Sequence, residues 1–172
     1  MTKRLANISL RLATRADLPA INSIYNHYVI HSTATYQTEP ATLDERVAWY
    51  EGHGAGYPVI VAEEAGEVIA WGSLSRFHPR AAYQPTVENS IYVRHDRLSR
   101  GVGTLILRDL IERAMAMGYH SIVALISADQ TASVRLHERF GFLRAGQLRQ
   151  VGRKFGRWLD VEYMQLMLGP KR

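Results

Sequence analysis

Residues 86–104 read Thr-Val-Glu-Asn-Ser-Ile-Tyr-Val-Arg-His-Asp-Arg-Leu-Ser-Arg-Gly-Val-Gly-Thr, and this stretch decides the fold. Its first half, Thr86 to Val93, is strongly β-prone. A short loop follows, and Gly101 and Gly103 then open an amphipathic helix carrying Leu105, Ile106, Leu110, Ile111 and Ala114, with Gly118 as its C′ residue. A helix N-terminus presents unpaired N–H groups and partial positive charge. Two glycines one residue apart let an anion approach that backbone closely, and Arg100 adds a charged donor. By itself G-x-G before a helix is a weak signal, equally readable as a tight turn. The dinucleotide fingerprint is disfavoured, because position 106 is Ile rather than a third glycine and no opening βαβ unit surrounds it.

Working outward, Ile8 to Ala13 alternates as a first strand. Thr14 and Asp17 form a capping-box-like start, with Pro19 in the first turn, for a helix with Leu18, Ile21 and Ile24. A polar, aromatic stretch occupies residues 26–40, and Thr42 with Glu45 caps a second helix through Val47 and Trp49. Tyr57 to Ala62 and Val68 to Leu74 read as a hairpin turning at Ala65-Gly66, and residues 75–85 as a loop. After the glycine-led helix come a buried strand, Ser121 to Ile126, a helix from Thr131 to Phe140, and strands near Leu143–Val151 and Val161–Leu168. The order β-α-α-β-β-β-α-β-α-β-β predicts a mixed sheet covered by helices, in the α/β (mixed α+β) class. With no repeat, linker or low-complexity tract, residues 1–172 read as one domain.

The chain's 172 residues suffice for a sizeable core. Hydrophobic residues make up 47% and charged residues 22%, the balance of a soluble globular protein. No apolar run approaches the roughly 20 residues that span a bilayer, and no apolar signal core follows Met1 to Arg4. There is no cysteine, which excludes disulfides, thiolate catalysis and cysteine-based zinc sites and fits the cytoplasm. The histidines and acidic residues show no metal-ligand spacing such as H-E-x-x-H, so no metal is expected. The net charge of +5 points to anionic partners, nucleic acid or a phosphate-rich cofactor. Arg94, Arg97, Arg100 and Arg108 surround the glycine turn without forming an aromatic-interleaved stripe, which favours the cofactor over nucleic acid.

One strand downstream lies a second block: Gln130-Thr131-Ala132-Ser133, then Leu136-His137 and Phe140-Gly141-Phe142. Together the two blocks resemble the GNAT superfamily of N-acetyltransferases over roughly residues 8–168. The resemblance implies the GNAT fold, a central mixed, mostly antiparallel twisted sheet flanked by helices, and acetyl-CoA as co-substrate. It places the CoA pyrophosphate on Ser99, Arg100, Gly101, Val102, Gly103 and Thr104, and the pantetheine arm along Ile91, Tyr92, Val93, Gln130 and Ser133. Two positions depart from the superfamily pattern: Leu98 stands where Gln or Arg is usual, and Gln130 where Asn is usual. Asn26-His27-Tyr28, Thr38-Glu39-Pro40, Arg80-Ala81-Ala82-Tyr83, Thr86-Val87-Glu88 and residues 151–158 further resemble the phosphinothricin and methionine sulfoximine acetyltransferases. Homodimers with sites near the interface are implied, with the basic, aromatic segment Lys154 to Trp158 as the dimer surface. Taken alone that segment reads equally as a hairpin tip or an RNA contact.

Attack of an amine on a thioester requires a neutral nitrogen, and an amino-acid amine is mostly protonated at neutral pH. Glu88, a carboxylate inside a β-prone run and opposite in phase to Val87, Ile91 and Val93, is the candidate base. A carboxylate paired with an arginine at the sheet edge is the plainer alternative. The oxyanion donor implied by the fold is the backbone N–H of Val93. At the place where the superfamily often carries a tyrosine acid the chain has His137, which could protonate the leaving thiolate or simply pack. Arg80 with Tyr83 beside it is the expected clamp for a substrate carboxylate or phosphinate, with His78, Asn89 and Ser90 as neighbours. The expectation is acetylation of the α-amino group of a small amino-acid analogue. The competing readings are an acetyltransferase for protein N-termini or other amines, a non-catalytic acetyl-CoA sensor, and a nucleic-acid-binding module.

Overall fold

The computed structural model describes residues 7–169. Seven strands and four helices follow one another in the expected order. They are β1 (Ile8–Leu12), α1 (Leu18–His31), α2 (Leu43–His53), β2 (Val59–Glu64), β3 (Glu67–Arg76), β4 (Thr86–Val93), α3 (Val102–Ala116), β5 (Ser121–Ser127), α4 (Thr131–Arg139), β6 (Leu143–Lys154) and β7 (Arg157–Met167). Both caps form as local chemistry dictates. Asp17 Oδ2 accepts from the Thr14 N–H (2.7 Å), and Thr42 and Glu45 exchange side-chain and backbone bonds at the start of α2.

Several boundaries move outward from their sequence expectations, each for a local reason. α1 continues through Tyr28 and Val29 to His31, taking in the first part of the stretch expected to be irregular. The last two strands nearly meet, because Phe155 (φ 50°) and Gly156 (φ 76°) make a two-residue turn with both residues left-handed. Ala65 (φ 52°) and Gly66 (φ 82°) do the same between β2 and β3, as expected.

The strands lie in the order β1-β2-β3-β4-β5-β7-β6, antiparallel throughout except between β4 and β5. One hydrophobic layer packs α3 and α4 on one face, with Ile60, Leu74, Val87, Ile106, Leu110 and Met164 fully buried. Each such side chain contributes about 1.5–3 kcal/mol. A second layer packs α1 and α2 on the other face around Leu18, Ile21, Val61 and Trp71.

The parallel pair creates the site. β4 meets β5 only where Thr86–Glu88 face Ser121–Val123. Beyond that point β4 stays with β3, and β5 stays with β7. The sheet therefore splits into a wedge, and the backbone groups along its two inner edges lose their ladder partners.

Candidate active site

The first cavity, about 470 Å3, lies along this wedge and reaches the start of α3. Ile91, Tyr92 and Val93 form one wall; Ala124 to Ser127, Gln130, Ser133 and His137 form the other; Leu98, Ser99, Gly101, Val102, Gly103 and Thr104 close the end. The Arg94 N–H donates to Ile69 O on β3 (2.8 Å), so strand alternation turns the Val93 N–H toward the wedge. Tyr28 Oη donates to Val93 O (2.5 Å), fixing that strand end.

At the cavity's end the chain bends through Ser99 (φ 60°) and Gly101 (φ 85°). The left-handed Gly101 is a conformation that a Cβ would penalise. The first helical bonds run from Thr104 and Leu105 to Gly101 O, which leaves the Val102 and Gly103 N–H groups ahead of the ladder. Gly103 has a further reason: an added Cβ would stand 3.3 Å from Leu136 Cδ2, where α3 meets α4. Arg100 is exposed beside this turn and lies outside the cavity wall. Arg97, by contrast, lines the wall, where it is engaged by Glu64 (3.2 Å) and Asp96 (2.7 Å). This cradle of free N–H groups with adjacent arginine fits a pyrophosphate, and the slot behind it fits an extended arm with amide groups.

A second cavity, about 650 Å3, opens among α1, α2 and the outer part of the wedge. It shares Ala34, Ser90, Tyr92, Leu125 and Ser127 with the first, so the two are continuous. Glu88 lines it, half-buried on β4, with no hydrogen bond or ion pair to a protein group among the described residues. Burial pushes its carboxyl above the ordinary carboxylate range.

His137 lies deep in the first cavity, 3% exposed. Its Nδ1 sits 2.8 Å from Ser133 O and its Nε2 sits 3.0 Å from Asn89 Nδ2. A carbonyl can only accept, so Nδ1 carries the proton and Nε2 accepts from Asn89. Burial lowers the pKa of the ring, which favours this neutral form. Asn89 Oδ1 has no partner among the described residues. Gln130 turns its amide to Thr33 Oγ1 (2.8 Å), tying the chain after α1 to the turn before α4.

The expected site residues thus divide. Ser99, Gly101, Val102, Gly103, Thr104, Ile91, Tyr92, Val93, Gln130, Ser133, Asn89 and His137 gather on the first cavity, while Glu88 and Ser90 face the second. His78, Arg80 and Tyr83 stand apart on the loop before β4, outside both cavities, with the His78 and Tyr83 rings tilted at 49° and 4.6 Å between centroids. Lys154, expected on an exposed tip, is buried instead. Its Nζ donates to Ser32 O (2.7 Å), Thr35 O (2.8 Å) and Tyr28 O (3.4 Å), fastening the β6–β7 hairpin to the end of α1. Sequence reasoning missed Tyr25, Tyr36, Arg46, Trp49, Trp71 and Ser73 on the second cavity, where no local motif marks them.

Comparison with known proteins agrees with this geometry. The model of the acetyltransferase (GNAT) domain family matches residues 10–162. The chain is 46% identical over 166 residues to an L-methionine sulfoximine/L-methionine sulfone acetyltransferase of Pseudomonas paraeruginosa, covering 95% of this chain and 96% of that one. It is 35% identical over 164 residues to a phosphinothricin N-acetyltransferase of Streptomyces coelicolor, covering 93% and 96%. Among solved structures, a GNAT superfamily phosphinothricin acetyltransferase of Sinorhizobium meliloti in complex with acetyl-CoA superposes with a TM-score of 0.92 at 37% identity, over 95% of this chain and 89% of that one. A seven-stranded sheet split beside a glycine-capped helix and a family match across nearly the whole chain make this protein an acetyltransferase of the GNAT family, with acetyl-CoA as its acetyl donor.

Proposed function

We propose that the protein is one acetyltransferase domain that acetylates the α-amino group of a small amino-acid analogue of the methionine sulfoximine, methionine sulfone or phosphinothricin type. The observation that carries this reading is Glu88, an unpaired, half-buried carboxylate in a cavity that runs into the cofactor slot. The names of relatives 46% and 35% identical support the substrate class.

Acetyl-CoA supplies an activated acetyl thioester. Glu88 accepts the proton of the incoming ammonium, directly or through a water, and its raised pKa makes it a better base than an exposed carboxylate. The Val93 N–H, turned to the wedge, donates to the carbonyl oxygen as it gains charge. Val102 and Gly103 N–H groups with Arg100 hold the pyrophosphate, while Ile91, Val93, Gln130 and Ser133 flank the pantetheine. The amine nitrogen would bond to the acetyl carbon as the C–S bond breaks, and the CoA thiolate would take up the second amine proton, because His137, expected as the general acid, accepts at Nε2 in its neutral form and carries no proton there. We assign it the orientation of Asn89, whose free Oδ1 then serves a ligand donor.

We further infer a homodimer in the cytoplasm. The edge strand β6, its turn and the start of β7 expose Leu143, Leu148, Val151, Phe155 and Trp158, apolar side chains that a second copy would cover. Such a copy would also give His78, Arg80 and Tyr83 a route to a substrate, which they lack within one chain. Among the described residues no helix is long and apolar enough to cross a membrane.

Release of CoA thiol from acetyl-CoA, measured across L-phosphinothricin, L-methionine sulfoximine, L-methionine sulfone, ordinary amino acids and N-terminal peptides, tests the reading. Saturable release with the first three is expected. In Glu88→Gln kcat should fall about 10²- to 10⁴-fold with acetyl-CoA affinity within twofold of wild type. Release with peptides alone would move the assignment to protein acetylation, and tight acetyl-CoA binding without any release would make the protein a sensor.

A further inference from the structure

Arg46, on α2, is 4% exposed and lines the second cavity. Its guanidinium sits 4.5 Å from the ring centroid of Tyr25, 4.7 Å from Trp49 and 5.8 Å from Trp71. Its Nε donates to Asn22 Oδ1 (3.2 Å), and Asn22 is itself anchored through Nδ2 to Ala41 O (2.9 Å). Among the described residues no carboxylate pairs with Arg46, and neither of its Nη groups donates to a protein acceptor. The adjacent Glu45, also on the cavity wall, is engaged by Thr42 at the helix cap. Aromatic faces stabilise a guanidinium but accept none of its in-plane N–H bonds. A buried cation with its fork unmatched is costly unless something brings the matching oxygens.

The same cavity holds an unpaired charge of opposite sign, Glu88. Guanidinium and carboxylate remain separate although both are desolvated, an arrangement complementary to a zwitterion. We propose that Arg46 is the substrate's oxyanion receptor, its two Nη groups gripping oxygens of the amino acid whose amine Glu88 deprotonates. This rests on the substrate class proposed above. Two groups of such a substrate share the needed chemistry, the α-carboxylate and the side-chain sulfonyl or phosphinyl oxygens. The three aromatic rings fix the plane of the fork, and a lysine, with one compact and strongly hydrated charge, cannot reproduce it.

The test uses the full chain as wild type, Arg46→Lys and Arg46→Met. The probes are L-methionine sulfone, its carboxamide, which lacks the carboxylate, and L-methionine, which lacks the sulfone oxygens. Kinetics are read alongside tryptophan-fluorescence titration, Tm and acetyl-CoA affinity. Both variants should raise KM for the sulfone at least about 30-fold, the loss of a charge-assisted bidentate contact. Acetyl-CoA affinity should stay within twofold. One wild-type preference, acid over carboxamide or sulfone over thioether, should collapse toward unity, and the preference that collapses names the group Arg46 holds. Equal losses with all three probes, or an unchanged KM, would overturn the proposal and leave Arg46 a packing residue. If Arg46→Met loses acetyl-CoA binding as well, Arg46→Lys with intact Tm decides by the same selectivity ratios. Wild type that binds the probes through Arg46 yet transfers no acetyl group overturns the function reading alone, whereas wild type that binds none of them overturns both.

Discussion

The two cavities meet at Ser90 and Tyr92 but are built from different materials. On the cofactor side the contact surface is largely main chain: the freed edges of β4 and β5, a left-handed Gly101, and N–H groups at the start of α3. On the substrate side it is largely side chain, with Tyr25 from α1, Arg46 and Trp49 from α2, Trp71 and Ser73 from β3, Glu88 from β4 and Tyr163 from β7. Every residue in the cradle offers the same N–H, so a backbone cradle tolerates changes in the letters around it. A wall of side chains does not. One fold can thus keep a single acetyl donor while its acceptor varies.

On this contrast, small steric changes on the side-chain wall should matter more than losses of side-chain contact at the cradle. Gly152 offers the sharpest case. An added Cβ there would overlap the Tyr36 ring, whose hydroxyl is held by Asp160 O (2.9 Å) and Ser127 Oγ (3.3 Å). Overpacking of this kind costs about 1–3 kcal/mol, and the displaced ring has the cavity to move into. Gly152→Ala should therefore raise substrate KM about tenfold or more while acetyl-CoA affinity stays within twofold. Parallel losses in both would break the contrast.

The pH profile gives an intermediate effect. Burial raises the Glu88 pKa, so the base form appears only above the ordinary carboxylate value of about 4.3. Activity should rise with pH along a limb displaced upward from that value, and this limb should be missing from the residual activity of Glu88→Gln. Finding the same limb in the variant would assign it to another group.

The smallest effect belongs to the cradle. Leu98, 51% exposed on the cavity rim, replaces the Gln or Arg usual in the superfamily. With main-chain N–H groups making the principal contacts, Leu98→Gln should tighten acetyl-CoA binding by less than about fivefold, one ordinary hydrogen bond. A gain of a hundredfold in a calorimetric titration would show that the side chains carry the affinity after all.

The same division governs what is legible in the letters. The element order, both caps, the Gly101 turn and the wedge-lining strands follow from propensity, capping and glycine conformation, all properties of neighbouring residues. Arg46 and Trp71 give no comparable signal, because one looks like any helix arginine after a capping glutamate and the other like any strand aromatic. Only the packing of α2 on the sheet brings them together. Arg80 shows the opposite failure. Its type suits anion binding, but the loop carries it away from the cavity of its own chain. Lys154 escapes a local reading because Phe155-Gly156 lacks the asparagine that usually announces so tight a turn, so the strands read shorter than they are.

Lys154 also sets an order of events during synthesis. Its three carbonyl partners precede it by 119 to 126 residues. A ribosome has made α1 and the chain after it long before the residue that ties them down emerges. Closing so long a loop costs entropy before any contact repays it, so this tie belongs to the slow, late part of folding. Until then β7 is missing too, so β5 lacks the partner that draws it away from β4, and the core beneath α3 lacks Met164. The donor slot and the acceptor wall are thus both completed by the last-made hairpin, and a chain stalled short of β6 would present neither as the finished fold does.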